Sequence, residues 1–303
     1  LGIAAGEYHA EPGTILGHEA SGVVAITGAE AGFAVEQRVT VDPTYFCGQC
    51  RMCRTNRRNH CEKKSSTETG VTSDGTFATY YRAKSSFLRC LPDHVSFEEG
   101  TFIEPLSCAV TGTKQLKLRS DHRVAVIGCG SMGLLYAWLL HLRGCRGWFV
   151  ERSTERMAAA ERVFPPNWQA AATIDDVIQA YPANGGALDV IVDTTASVAG
   201  DILPQMARGG QVLVVGLRNE TARPNLGMMA DRSLSLIGSI DSEDNSFDEA
   251  LSLIANGAIP VGKFVTHTFP LESIADGFSV LGCDLRNGTR TPPHSAIKVI
   301  IKP

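Results

Sequence analysis

Arg123-Val-Ala-Val-Ile-Gly128-Cys-Gly130-Ser-Met-Gly133 passes from an apolar strand, through a glycine-spaced turn, into an apolar helical run at 132–142. The spacing G-x-G-x-x-G is weak on its own and strong in this setting. The first glycine permits the tight turn, the second lets the backbone approach a pyrophosphate, and the third allows close packing of the helix. Backbone N–H groups at the helix start, at Ser131 and Met132, are then available to phosphates. The stretch predicts a dinucleotide-binding unit.

Working outward, strand and helix alternate. Strands are expected at 123–127, 148–150, 188–192 and 211–215, with helices at 154–164 and near 201–207 between them, and a last strand near 234–237. Continuous apolar strands separated by helices imply a parallel sheet covered on both faces. Glu151 closes the strand after the glycine turn, where a carboxylate accepts hydrogen bonds from ribose hydroxyls and repels a 2'-phosphate. That favours NAD. Arg152 and Arg156 follow and would suit a 2'-phosphate, which keeps NADP open.

The first hundred residues read differently, as short strands (23–26, 38–41, 77–81, 87–91) and glycine-rich turns. They predict a small, mostly β domain. The pattern turns helical from 98 to 116, and helices near 247–255 and 271–281, a polar loop at 284–294 and a strand at 296–301 close the chain.

Within the β region stand Cys47, Cys50, Cys53 and Cys61, a C-x2-C-x2-C-x7-C array. Four thiolates so close in sequence suit a closed, structural zinc shell. Arg51, Arg54, Arg57, Arg58, Lys63 and Lys64 surround them and read as a solvated loop surface. A phosphate-gripping zinc knuckle would need interleaved aromatics, and the run has none. The other five cysteines (Cys90, Cys108, Cys129, Cys145 and Cys283) are scattered and read as buried small apolar residues.

The 303 residues suffice for two domains, and 44% hydrophobic with 20% charged residues is ordinary for a globular chain. A net charge of -4 argues against nucleic acid or an anionic membrane as partner. No apolar run reaches the ~18 residues of a membrane span, and no signal peptide is visible. Unpaired cysteine usage suggests a reducing, cytoplasmic setting.

Two further places carry metal-capable chemistry. Gly17-His18-Glu19-Ala-Ser-Gly22 puts an imidazole and a carboxylate beside glycines. Glu104, in Ile103-Glu104-Pro105-Leu106, is an acid in an apolar stretch, where an acid needs a partner or a metal. With these residues the chain resembles the medium-chain, zinc-containing alcohol dehydrogenase family. The matches are Gly17-His18-Glu19, the four-cysteine lobe, the segment 95–106 and the glycine fingerprint. The stretches 16–22 and 103–107 make the sorbitol (polyol) dehydrogenase branch the nearest within it.

The resemblance implies an α/β protein: a GroES-like catalytic domain from 1–106 and 241–303, with the zinc lobe at 47–61, around a Rossmann domain at 107–240. It implies a catalytic zinc with His18 as ligand, Glu19 as ligand or outer partner, and Glu104 as ligand or water-mediated neighbour. Cys47, Cys50, Cys53 and Cys61 would hold the structural zinc. Thr194, Thr195, Gly216 and Leu217, after sheet strands, would line the nicotinamide pocket. The implied reaction passes a hydride from a secondary alcohol (a polyol, sugar or cyclitol) to NAD or NADP, in a homodimer or homotetramer joined near 234–239.

Alternatives remain open at this stage. The substrate is a simple alcohol or threonine in one. In another the chain is a silent dinucleotide-binding scaffold that keeps only the structural zinc. The family normally carries an upstream Cys ligand and a hydroxyl residue. Ungapped, the chain begins inside that motif, with Gly2 near its histidine. With a gap, Ala4 and Gly6 replace the Cys and the hydroxyl, and His9 matches the histidine. Because the chain opens on Leu1, the expectation is a recorded sequence lacking an N-terminal portion. If it is whole, His18, Glu19 and Glu104 still offer three ligands.

Overall fold

The computed structural model describes residues 2–3, 10–181, 188–196, 202–217, 223–243, 245–290 and 295–303. Two compact units emerge. One is built on His9–Thr111 and Asp241–Gly277 with Ile300–Pro303, the other on Gly112–Ile240 and Phe278–Val299. Residues 278–290 and 295–299, expected with the catalytic domain, thus pack with the second unit, where Ser131 Oγ donates to Ile297 O at 2.7 Å.

The first unit opens with a three-stranded antiparallel sheet of β1 (Ser21–Val23), β2 (Arg38–Val41) and β3 (Leu88–Cys90). A four-residue helix α1 (Arg51–Arg54) sits among the four cysteines. Helix α2 (Phe97–Gly100) starts in a capping box: the Ser96 side chain accepts the Glu99 N–H, and Glu99 reaches back to the Ser96 N–H. It leads into α3 (Ile103–Lys114), whose Phe102, Ile103 and Leu106 flank is fully buried. Phe102 meets Phe264 edge to face at 5.9 Å.

The second unit is a six-stranded parallel sheet. Its strands are β4 (Arg123–Ile127), β5 (Arg146–Val150), β6 (Gln169–Ala171), β7 (Leu188–Asp193), β8 (Met206–Val214) and β9 (Ser235–Gly238). Their spatial order is β6-β5-β4-β7-β8-β9, which is the doubly wound 3-2-1-4-5-6 arrangement. Helix α4 (Ser131–Leu142) follows β4 directly. One face of the sheet packs Ala125, Val177, Leu188, Ile191, Met206 and Val212, all fully buried. The Rossmann expectation is met, and the strand order reverses between β4 and β7.

Several local expectations are corrected. Residues 77–81 form no strand. Phe77 N, Thr76 N and Gly75 N instead bond to Leu16 O, Gly17 O and Ile15 O as a loop pressed on residues 15–17. The strand expected at 23–26 ends at Val23, and Ile26 lies 90% exposed in the turn beyond. The helix near 201–207 reduces to one 3-10 turn, Leu203–Gln205, because Met206 already enters β8; Asp201 lies outside the described residues. The region 271–281 begins with a 3-10 turn and is helical only over Ile274–Val280. The polar loop at 284–294 contains a small hairpin, Cys283–Asp284 against Thr289–Arg290, and residues 291–294 lie outside the described set. Strand β6 and the helices Ile174–Gln179 and Leu226–Arg232 were too short or too mixed to read.

Candidate metal and cofactor sites

The backbone builds the first site through close approach. Gly17 has φ +94°, and a Cβ on Gly75 would stand 2.1 Å from Gly17 O. Only glycine lets these two strands of loop touch. That contact fixes the segment carrying His18 and Glu19. Glu104 arrives from the first turn of α3, where a helix N-terminus favours a carboxylate. The ligand atoms of His18, Glu19 and Glu104 all lie within 4.8 Å of one another. Glu104 is only 8% exposed. Burial first, then the Asp241 carboxylate, push its carboxyl up to about 8. Cys108 Sγ, one helical turn on, lies 3.5 Å from Glu104 Oε1. An imidazole and two carboxylates, one of them poor in water, form the donor set of a divalent cation and suit zinc.

Around them lies a pocket that sequence reasoning missed. Lys64, Glu68, Asp241, Tyr45 and Thr69 share its wall with His18 and Glu104. Lys64, expected on a solvated loop, is corrected here: its side chain is 19% exposed and ion-pairs with Asp241 at 21%. A lysine beside an arginine-rich loop and an aspartate far along the chain carry no shared sequence signal. Ala4, Gly6 and His9 lie outside the described residues.

Cys47, Cys50, Cys53 and Cys61 also converge, their sulfurs within 4.8 Å of one another. Cys50–Cys53 and Cys47–Cys53 sulfurs are 3.4 and 3.9 Å apart, and all four thiols are free. Zn–S bonds of ~2.3 Å at tetrahedral angles place sulfurs ~3.8 Å apart, so the set fits zinc. Backbone N–H groups of Gln49 and Cys50 donate to Cys47 Sγ at 3.4 and 3.3 Å and pull its pKa down. The Cys53 N–H first, then that of Glu62, brings Cys50 to about 6, while burial pushes Cys53 to about 12. Among the scattered cysteines, Cys90 is exposed rather than buried, and accepts from Gln37 Nε2 at 3.0 Å.

In the second unit the glycines behave as the fingerprint requires. Gly128 has φ +94°, and a Cβ there would meet Thr194 Oγ1 at 2.6 Å. At Gly133 a Cβ would stand 1.9 Å from Gly128 O, whereas at Gly130 it would meet nothing within 4 Å. The middle glycine therefore faces open space where a pyrophosphate would lie. Ser131 commits its side chain to Ile297 O, leaving its role to the backbone. Met132 sits beside it in the first turn of α4.

Glu151 Oε2 accepts the Cys129 N–H at 3.2 Å, and Oε1 accepts the Ser153 N–H at 3.0 Å. Arg156 Nη1 adds an ion pair at 3.3 Å, while Arg152 is exposed. The carboxylate is thus held at the glycine turn. Thr194 Oγ1 donates to Ile127 O at 2.7 Å, and Thr195 is held by the buried Asp193. Gly216 must be small because a Cβ would stand 2.4 Å from Ala196 N. Leu217 beside it is 55% exposed.

The chain is similar to several known proteins. Residues 1–93 match the alcohol dehydrogenase GroES-like domain. A sorbitol dehydrogenase from Bacillus subtilis is 28% identical over 89% of this chain and 78% of its own. A 2-dehydro-3-deoxy-L-galactonate 5-dehydrogenase from Pseudoalteromonas atlantica is 29% identical over 87% of this chain and 78% of its own. A structure from Sinorhizobium meliloti 1021, described as a zinc-binding dehydrogenase bound to NADP, superposes with a TM-score of 0.85. Its identity is 26%, covering 100% of this chain and 89% of that one.

Proposed function

We propose that this chain, which belongs to the zinc-containing medium-chain alcohol dehydrogenase family, oxidises a secondary hydroxyl of a polyol, sugar or cyclitol with NAD. The observation that carries the reading is the convergence of His18, Glu19 and Glu104 on one point beside a polar pocket. When bound, zinc supplies Lewis-acid polarisation of the alcohol and nicotinamide accepts the hydride.

The chain's own residues do the rest. His18, Glu19 and Glu104 hold the catalytic metal, and Cys47, Cys50, Cys53 and Cys61 hold a second, structural one. The N–H groups of Ser131 and Met132 would hold the cofactor's pyrophosphate, with Gly130 leaving the space it needs. Glu151 orients the ribose, and its charge disfavours a 2'-phosphate, while Arg152 and Arg156 leave NADP a weaker second cofactor. Thr194, Gly216 and Leu217 flank the nicotinamide end.

Elemental analysis of the purified chain beside a polyol panel with either cofactor tests this. Two zincs per chain with NAD-dependent polyol oxidation is the expected result. One zinc, tight NADH binding and no turnover would instead mark a silent scaffold.

A further inference from the structure

Resting on the reading just given, we propose that the Lys64–Asp241 ion pair sets the charge class of the substrate. The pocket takes uncharged polyhydroxy compounds and turns away those bearing a carboxylate or phosphate.

Lys64 is the only lysine or arginine among the described residues lining the pocket. Its ammonium is engaged by Asp241 and lies 3.9 Å from Glu68. Both partners of the main pair are about four-fifths buried, so solvent screens them little. A divalent cation held by His18, Glu19 and Glu104 is balanced by the two carboxylates that bind it. The remaining lining charge is one ammonium against two carboxylates. An anionic substrate would therefore be desolvated without a countercharge, which is a strong basis for rejection.

The same wall suits hydroxyls. Thr44, Tyr45, Thr67 and Thr69 line it, and each hydroxyl both donates and accepts. A carboxylate such as Asp241 offers up to about four acceptor sites, so its pairing with Lys64 leaves capacity for substrate hydroxyls. The chain fixes Asp241 through its backbone, which adopts φ 56°, a left-handed conformation that Asp and Asn tolerate. Asp241→Asn thus removes the charge while keeping shape and backbone.

The test uses sorbitol and gluconate, which share six carbons and differ in a terminal hydroxymethyl against a carboxylate. Calorimetric dissociation constants are measured on the zinc-loaded full chain with NADH bound, for wild type, D241N, E68Q and the double variant K64M/D241N. Wild type should prefer sorbitol at least tenfold. D241N should move the ratio toward gluconate by at least about tenfold, and E68Q by at least about threefold, the lower bounds set by one charge a few ångströms away when screening is close to that of water. Removing the ammonium in K64M/D241N should return the ratio to the wild-type side. E68Q carries the test should D241N not fold. Sorbitol binding with a ratio that stays within twofold in both single variants overturns the proposal alone, as does a wild type that binds both equally. Binding of neither probe to any variant overturns the polyol reading and the proposal together.

Discussion

A Cβ on Gly133 would stand 1.9 Å from the carbonyl oxygen of Gly128. Both atoms in that clash belong to backbone or its immediate branch, so nothing flexible can yield. Gly133→Ala should therefore cost about 2–3 kcal/mol of stability. Gly130→Ala, which meets nothing within 4 Å, should leave stability nearly intact and weaken dinucleotide binding instead. Urea denaturation and NADH titration of the two variants separate these effects. Equal stability loss in both would contradict the assignment of distinct roles to the two glycines.

The cysteine lobe predicts a metal-dependent fold element. Cys53→Ser should lower bound zinc by one per chain and reduce stability by a few kcal/mol, roughly, since metal binding there is folding free energy. Cys90→Ser, at an exposed thiol outside the set, should keep both zincs. Elemental analysis with thermal unfolding checks the pair.

Glu104 predicts a pH dependence of the metal-stripped chain. Its carboxyl is pushed from 4.5 up to about 8, by burial first and Asp241 second. The folded state therefore holds that proton more tightly than the unfolded state. The group's contribution is fully present below about pH 4.5 and is lost as pH rises through about 8. Stability of stripped wild type should fall by on the order of 5 kcal/mol across that window relative to Glu104→Gln. Parallel pH profiles for the two proteins would count against the buried carboxyl.

Glu151 predicts cofactor choice. Removing its carboxylate in Glu151→Ser leaves Arg156 without its 3.3 Å partner at the ribose position. The NAD-to-NADP affinity ratio should fall about tenfold, one charge's worth at a partly exposed site. Titration of both reduced cofactors by fluorescence reads the ratio directly.

The edge strand β9 predicts association. Ser235–Gly238 ends the sheet order, and Leu236 is 37% exposed. An open edge of this kind pairs readily with a second copy. Light scattering should find a dimer or tetramer, and Leu236→Glu should shift it toward monomer. A monomeric wild type would refute the expectation.

Much of this was legible in the sequence because the signals were local. The strand–glycine–helix stretch at 123–142 announced the parallel sheet and its tight glycine turn. The spacing of Cys47, Cys50, Cys53 and Cys61 announced their convergence, because residues within one loop meet without long-range folding. Glu104 stood out because an acid in an apolar run needs compensation. Residues 77–81 misled because their alternation imitates a strand, while the close approach of Gly75 to Gly17 imposes a loop. What only the tertiary structure decided was the pocket. Lys64 and Asp241 lie far apart in the chain, and no periodicity links them. Their pairing exists because the chain leaves the first unit, builds the nucleotide sheet, and returns at Asp241 with a left-handed backbone. Short-range patterns are written in residue spacing, whereas the charge balance of a pocket arises only where distant segments meet.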